Sequence, residues 1–348
     1  MKFEWDYFSD QPKVIKDKAF KKKMRKKYIF DFLIMFIKSI FILPFATLIM
    51  KFFKGKNELK NSEFYGLCVN LDKGDEQINL ANELGVKNLL IRVFLSDINN
   101  IDKYYEFASK FKDKNILICV VQDRKSIENL LLLKNNLEII FSKFSHLTDE
   151  FQIGIAINRL KWGFFAPKEY LDFYEVAQNL RDKKFKNLKL LAPSVIDFEY
   201  HYNVATMFNF KNIKFDKISS LLYVDRRGSP TNTQFGIFNL KNKINLLYAL
   251  SKLSPKSSDE IYITETNYPI INTAPYAPTS QKECVSIEDY TKFMLEYHKI
   301  AKKSGKIKRV YWHQLIAPGY GLVDNRDDKI IKMPQFYAYK KMINEDFN

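Results

Sequence analysis

The sequence predicts a closed (β/α)8 barrel, and two observations carry that expectation. Eight short runs rich in β-branched and aromatic residues recur along the chain, most of them apolar without interruption, as strands covered on both faces should be. They fall at residues 64–70, 86–93, 115–121, 151–157, 188–193, 218–223, 261–267 and 309–314. Helical patterns alternate with them at 75–84, 100–112, 124–144, 167–184, 197–208, 238–253, 286–304 and 334–343, and eight of each is the count of a parallel barrel wrapped by helices. From about residue 61 onward the length suits one such barrel of ~250 residues with modest insertions.

In chain order, the first element is basic. Residues 1–60 hold 15 Lys and Arg against 6 Asp and Glu, so more than half of the formal net charge of +16 lies in the first sixth of the chain. Residues 1–27 form the basic segment, 28–53 an apolar stretch, 54–63 a linker and 64–348 the barrel. The apolar stretch is interrupted only by Asp31, Lys38, Ser39, Pro44, Thr47 and Lys51. It is long enough to cross a hydrocarbon core of ~30 Å and too long for the core of a cleaved signal peptide. A basic excess beside an apolar stretch points to anionic lipid; no nucleic-acid partner is expected, because no zinc-ligand spacing or RNA-binding aromatic signature is present. Nine Lys and Arg between Lys13 and Lys27, against four Lys between Lys51 and Lys60, predict a spanning anchor with residues 1–27 cytoplasmic and the barrel outside. Asp31 and Lys38, seven residues apart, also suit an amphipathic helix lying in the interface.

The chemistry is sought at the C-terminal ends of the strands, where a (β/α) barrel builds its site. The seventh run reads Ile261-Tyr262-Ile263-Thr264-Glu265-Thr266-Asn267 and places one carboxylate where the apolar run stops. Arg92 ends the second run, Tyr223 the sixth, and Trp312-His313-Gln314 the eighth. This set resembles the clan A glycoside hydrolases. The resemblance implies Glu265 as nucleophile or base, Tyr223 bonded to it, Arg92 beside it and Trp312 flooring a sugar site. It also implies a glutamate proton donor at the end of the fourth strand. This chain instead reads Gly154-Ile155-Ala156-Ile157-Asn158-Arg159, with Ala156 where the donor belongs.

A retaining or inverting hydrolase needs a second carboxyl group. Asp197, Glu199, Asp225 and Asp123 lie at strand ends and are candidates, although helix caps and ion pairs are the commoner fate of such acids. Arg92, Arg124, Arg159, Lys161, Arg226 and Arg227 fall at or beyond strand ends. Planar guanidinium forks match carboxylates and phosphates, so this cluster predicts an acidic saccharide or glycolipid. Asn70, Asn158, Asn267, His313 and Gln314 are further expected binding residues. Trp162, Tyr200, Tyr202, Tyr268 and Tyr320 supply aromatic faces for sugar rings, and His201 is a second possible acid or base. With four His in the chain and no metal-ligand spacing, neither a metal nor any other cofactor is expected. Cys68 and Cys119 fall inside strands and read as small buried hydrophobes, with Cys284 making an odd, unpaired count.

Two functions fit. The first is a membrane-anchored glycoside hydrolase acting on an acidic cell-envelope glycan. The second is a non-catalytic sugar-binding subunit, because the anchor, the Arg-rich mouth and the missing Glu also resemble the membrane component of two-component Kdo hydrolases. That resemblance implies a lipopolysaccharide core sugar, a second hydrolase subunit as partner, and a bacterial inner membrane with the barrel on the periplasmic side.

Overall fold

A computed structural model describes residues 3–56, 58–225 and 228–345. Eight parallel strands close into a barrel in chain order: β1 (Tyr65–Val69), β2 (Asn88–Phe94), β3 (Asn115–Val121), β4 (Glu150–Ile153), β5 (Lys189–Ile196), β6 (Lys217–Leu221), β7 (Ile261–Thr266) and β8 (Ile307–Trp312), with β8 pairing back onto β1. Alternation along each strand divides the core. On β3, Leu117, Cys119 and Val121 fill the barrel interior, while Ile116, Ile118 and Val120 face the helix layer. The two strand cysteines are therefore packing residues, as their position in the sequence predicts.

Most helices fall where the periodicity places them, and the differences have local causes. The pattern at 124–144 divides into Arg124–Glu128 and Leu130–Phe144. Asn129 leaves helical dihedrals and its side chain accepts from the Leu132 N–H at 3.0 Å, capping a new helix. Asp123 caps the shorter piece by accepting from the Ser126 N–H at 2.9 Å, which removes it from the pool of catalytic acids. The pattern at 197–208 begins as a helix only at Tyr200. β4 stops at Ile153, because Gly154 (φ 81°) and Ala156 (φ 46°) turn the backbone out of the ladder.

The largest departures lie before the barrel. The basic segment does not stand apart: Trp5–Asp6 and Gln11–Pro12 pair as a small antiparallel hairpin that reaches the barrel mouth. Helix Lys18–Lys27 follows, capped by Asp17, and then helix Ile29–Ile49. Among the described residues the latter is the one helix long and apolar enough to cross a membrane. It packs along the side of the barrel, chiefly against helices Tyr200–Met207 and Leu240–Leu253.

Candidate active site

Glu265 owes its direction to an irregularity. Between Ile263 and Thr266 the register of β7 against β8 slips by one residue, so three steps on β7 oppose two on β8. A bulge of this kind turns a side chain to the other face. Ile263 faces the helices, whereas Glu265 enters the mouth, where the Tyr223 hydroxyl donates to its Oε1 at 2.7 Å and Arg92 Nη2 approaches its Oε2 at 2.5 Å. Both members of the ion pair are almost fully buried, 4% exposed for Arg92 and 7% for Glu265. Burial opposes the Arg92 charge, but Glu265 beside it more than compensates and holds the guanidinium protonated. Arg92 also lies 5.9 Å from the Trp162 ring.

The fourth strand contributes through the loop beyond it. The Ala156 methyl packs among interior side chains, and no carboxylate stands there. Asn158 ties this loop to the end of β5, accepting from the Ile196 N–H at 2.9 Å and donating to Glu199 at 2.7 Å. Arg159 forks between Asp197, at 2.5 Å, and Glu199. Lys161 donates to the Gln11 side-chain oxygen at 2.5 Å. Burial lowers its pKa to about 8, with Glu265 pulling upward and Arg159 downward.

The N-terminal hairpin completes the mouth, and sequence reading missed it. Trp5 packs edge-on against Phe94 and Trp162 at 5.3 and 5.8 Å. Asp10, 8% exposed, is held by Lys73 at 2.8 Å and accepts from Gln314 at 2.7 Å and Tyr320 at 3.2 Å. Gln314 in turn accepts from Asn70. The only sequence signal was the aromatic density of Phe3, Trp5, Tyr7 and Phe8 within a charged segment.

A cavity of about 250 Å³ results, room for roughly one sugar ring. Of the expected residues it gathers Arg92, Arg159, Lys161, Trp162, Asp197, Tyr223, Glu265, Asn267, His313 and Tyr320, and it adds Ser9, Asp10, Gln11, Thr279 and Glu283. His313 is buried against Tyr320, its rings stacked at 5.6 Å. Burial, with Arg92 and Lys73 nearby, lowers its pKa far enough to keep it neutral at pH 7. Its Nδ1, like Arg92 Nε, is a buried atom with no hydrogen-bond partner among the described residues, and such orphans are where a ligand's polar groups gain most.

Other expected residues are elsewhere. Glu199 and Asp225 line a neighbouring cleft of about 270 Å³ together with Arg159. Asn70 and Gln314 support Asp10 from behind. Arg124 is taken up by Glu169, Glu128 and the Gly163 carbonyl, so it fixes the loop before helix Pro167–Lys184. Trp312 does not floor the cavity: on β8 it is Tyr311 that points inward, and alternation sends Trp312 into the helix layer. There its indole donates to the Tyr290 hydroxyl at 2.7 Å amid Tyr268, Tyr297 and His298. Tyr200 is likewise in that layer, donating to the Lys243 carbonyl, and His201 lies against Tyr202 outside the cavity. Arg226 and Arg227 lie outside the described residues. Among the described residues the cations lining the cavity are Arg92, Arg159 and Lys161, with Asp10, Asp197, Glu265 and Glu283 as the acids. Among the described residues no group of three or more His, Cys, Asp and Glu is placed to hold a metal. A larger cavity of about 1290 Å³ lies at the N-terminal ends of the strands, lined by Gly55, Lys56, Lys302 and Gly305, and none of the expected site residues is in its lining.

No protein-family model matches the chain, and no curated protein sequence does. Solved structures do match. The family 1 β-glucosidase of Thermotoga maritima aligns over 84% of this chain and 99% of its own, with a TM-score of 0.59 at 10% identity. The fold is that of glycoside hydrolase barrels. The GH53 catalytic domain of Ignisphaera aggregans gives 0.58 at 14% identity over 84% and 99% of the two chains. The GH39 enzyme of Xanthomonas axonopodis pv. citri gives 0.58 at 12% identity over 83% and 67%. At such identities the likeness belongs to the architecture, and the site rests on its own geometry.

Proposed function

We propose that this protein binds an acidic saccharide in the Glu265 cavity and hydrolyses its glycosidic bond at a membrane surface, with residues 28–53 as the attachment. The observation that carries the reading is Glu265 itself, a buried carboxylate oriented by Tyr223 and Arg92 at the C-terminal end of β7 beside an aromatic-walled cavity. It serves as nucleophile or base. For the proton donor the candidates in the cavity are Asp10, Asp197 and Glu283. Asp10 and Asp197 are engaged in ion pairs with Lys73 and Arg159. Glu283 has no ion pair among the described residues, and we assign it the donor role. Glu283→Gln is expected to lower kcat by ~10²–10⁴-fold on substrates with poor leaving groups. Aryl glycosides whose leaving group needs no proton should be spared, and an equal loss on both would remove Glu283 from the chemistry.

The acidic class of ligand follows from Lys161. Its side chain is desolvated and hydrogen-bonded to the neutral Gln11 amide, so an anion entering the cavity would gain a charge-assisted bond in place of a neutral one. A charge-assisted bond is worth enough over a neutral one to give roughly tenfold tighter binding. Glucuronic acid is therefore expected to bind the full-length protein about tenfold more tightly than glucose in calorimetric titration. Because burial lowers the Lys161 pKa to about 8, the advantage should be present well below that pH, halved near it and lost above it. Lys161→Gln should abolish both the advantage and its pH dependence. Equal binding of the two sugars at pH 7 would reject the acidic ligand while leaving the hydrolase reading standing.

A second reading, a saccharide-binding subunit that works with a separate hydrolase on an envelope glycan such as a lipopolysaccharide core, is favoured by Ala156, which brings no donor to the end of β4.

A further inference from the structure

Helix Ile29–Ile49 reverses the usual distribution of a surface helix. Its exposed positions, from Ile29 and Phe30 through Phe36 and Phe41 to Phe45 and Leu48, are apolar without exception, Phe41 being 72% and Leu48 77% exposed. Its polar side chains turn toward the barrel. Asp31 accepts from the Lys168 N–H at 3.0 Å, and Lys38 donates to the Phe208 carbonyl at 2.8 Å while standing 3.7 Å from the Phe210 ring. Met35, Ala46 and Met50 bury themselves on the same inner side. A contiguous apolar face of this size marks an interaction surface.

The connections at its two ends decide the geometry. Residues before the helix are bound in the barrel mouth, through Asp10 with Lys73 and Gln314, Gln11 with the Pro278 carbonyl at 2.9 Å, and Trp5 with Trp162. Residues after it enter β1 of the same barrel. A helix that crossed the bilayer would separate these two parts by a hydrocarbon core of ~30 Å, and the hairpin contacts would be lost. It would also take Asp31 and Lys38 off the barrel into hydrocarbon, at ~2.5–3.5 kcal/mol for each charge near the centre.

We infer that helix Ile29–Ile49 does not span: it lies along the barrel with its outer face sunk in one leaflet of an anionic bilayer, keeping the hairpin and the barrel on the same side. The neighbouring helix Lys18–Lys27 supports lipid over protein as the occupant, since it carries seven Lys and Arg and is largely exposed. Burial of the Phe and Leu side chains supplies the hold and the basic helix selects anionic headgroups, as in other interfacial helices. The excess of positive residues before the helix is then a lipid contact rather than a topology signal. The inference rests on the proposed membrane attachment and changes its mode.

The test uses the full-length chain with Cys284→Ser and a single new cysteine, either Tyr7→Cys in the hairpin or Lys134→Cys on the barrel. A membrane-impermeant maleimide applied to spheroplasts, before and after permeabilisation, should label both sites or neither. Labelling from opposite sides would establish a span and overturn the inference while leaving the attachment intact. In flotation, purified protein should rise with phosphatidylglycerol-containing vesicles and poorly with phosphatidylcholine alone. Phe36→Glu with Phe41→Glu, both on the outer face, should abolish flotation without altering the circular dichroism spectrum. Flotation failing on both lipids, with the apolar face covered by a second copy in crosslinking, would overturn attachment and mode together.

Discussion

Glu265→Gln is expected to lower any hydrolytic turnover by ~10⁴-fold or more, the scale seen when a group forming the covalent or base-assisted step is removed. The substitution is isosteric and keeps an acceptor for the Tyr223 hydroxyl, so the cavity retains its shape. Saccharide binding should be preserved. An acidic ligand should bind as well as before or more tightly, because Arg92 loses its internal anion and remains available to an incoming one. Measuring hydrolysis and binding on the same preparation separates the possibilities. Turnover that survives the substitution removes Glu265 from the chemistry. Turnover that appears only with a second protein, and is indifferent to Glu265, establishes the saccharide-binding subunit.

The barrel was legible because its signals are periodic and local. Continuous apolar runs such as Asn115–Val121 belong to strands buried on both faces, and the helical stripes between them have a different period. Glu265, Tyr223 and Arg92 could be placed at strand ends from the same pattern, and they meet in the fold. Trp312 was misplaced because strand alternation decides which of two neighbouring side chains faces inward. One residue of phase on β8 exchanges Trp312 for Tyr311. The direction of Glu265 depends on the β7 bulge, which no propensity announces. Arg124 and Glu169 meet 45 residues apart in sequence, and Asp10 meets Gln314 across 304 residues. Pairings at such separations are set by tertiary packing, so a charge count along the chain does not tell that Arg124 is taken up by Glu169.

The same separation of scales governs the apolar stretch. Its length and composition are those of a span, and the polar residues within it looked like interruptions. In the fold Asp31 and Lys38 are the points of docking. What distinguishes a docked helix from a spanning one is the partner each polar group finds, and those partners, the Lys168 amide and the Phe208 carbonyl, lie more than 130 residues further along the chain.

Arg92→Met is expected to be strongly destabilising. Arg92 and Glu265 are each more than nine-tenths buried, and breaking such a pair from one side leaves a desolvated charge, at ~3–5 kcal/mol. The Tyr223 hydroxyl would remain on Glu265, but one neutral donor worth ~1 kcal/mol does not replace a guanidinium. Thermal unfolding of the full-length protein should therefore begin about 5–10 °C lower. Raising the ionic strength should leave the shift almost unchanged, since buried pairs are poorly screened. The decisive comparison is Arg92→Met with Glu265→Gln together. Removing both charges leaves no buried ion behind, so the double variant should be more stable than Arg92→Met alone despite carrying one more substitution. If instead the two losses simply added, the pair would not be coupled, and Arg92 would be holding the mouth of the barrel through its packing on Trp162 rather than through Glu265.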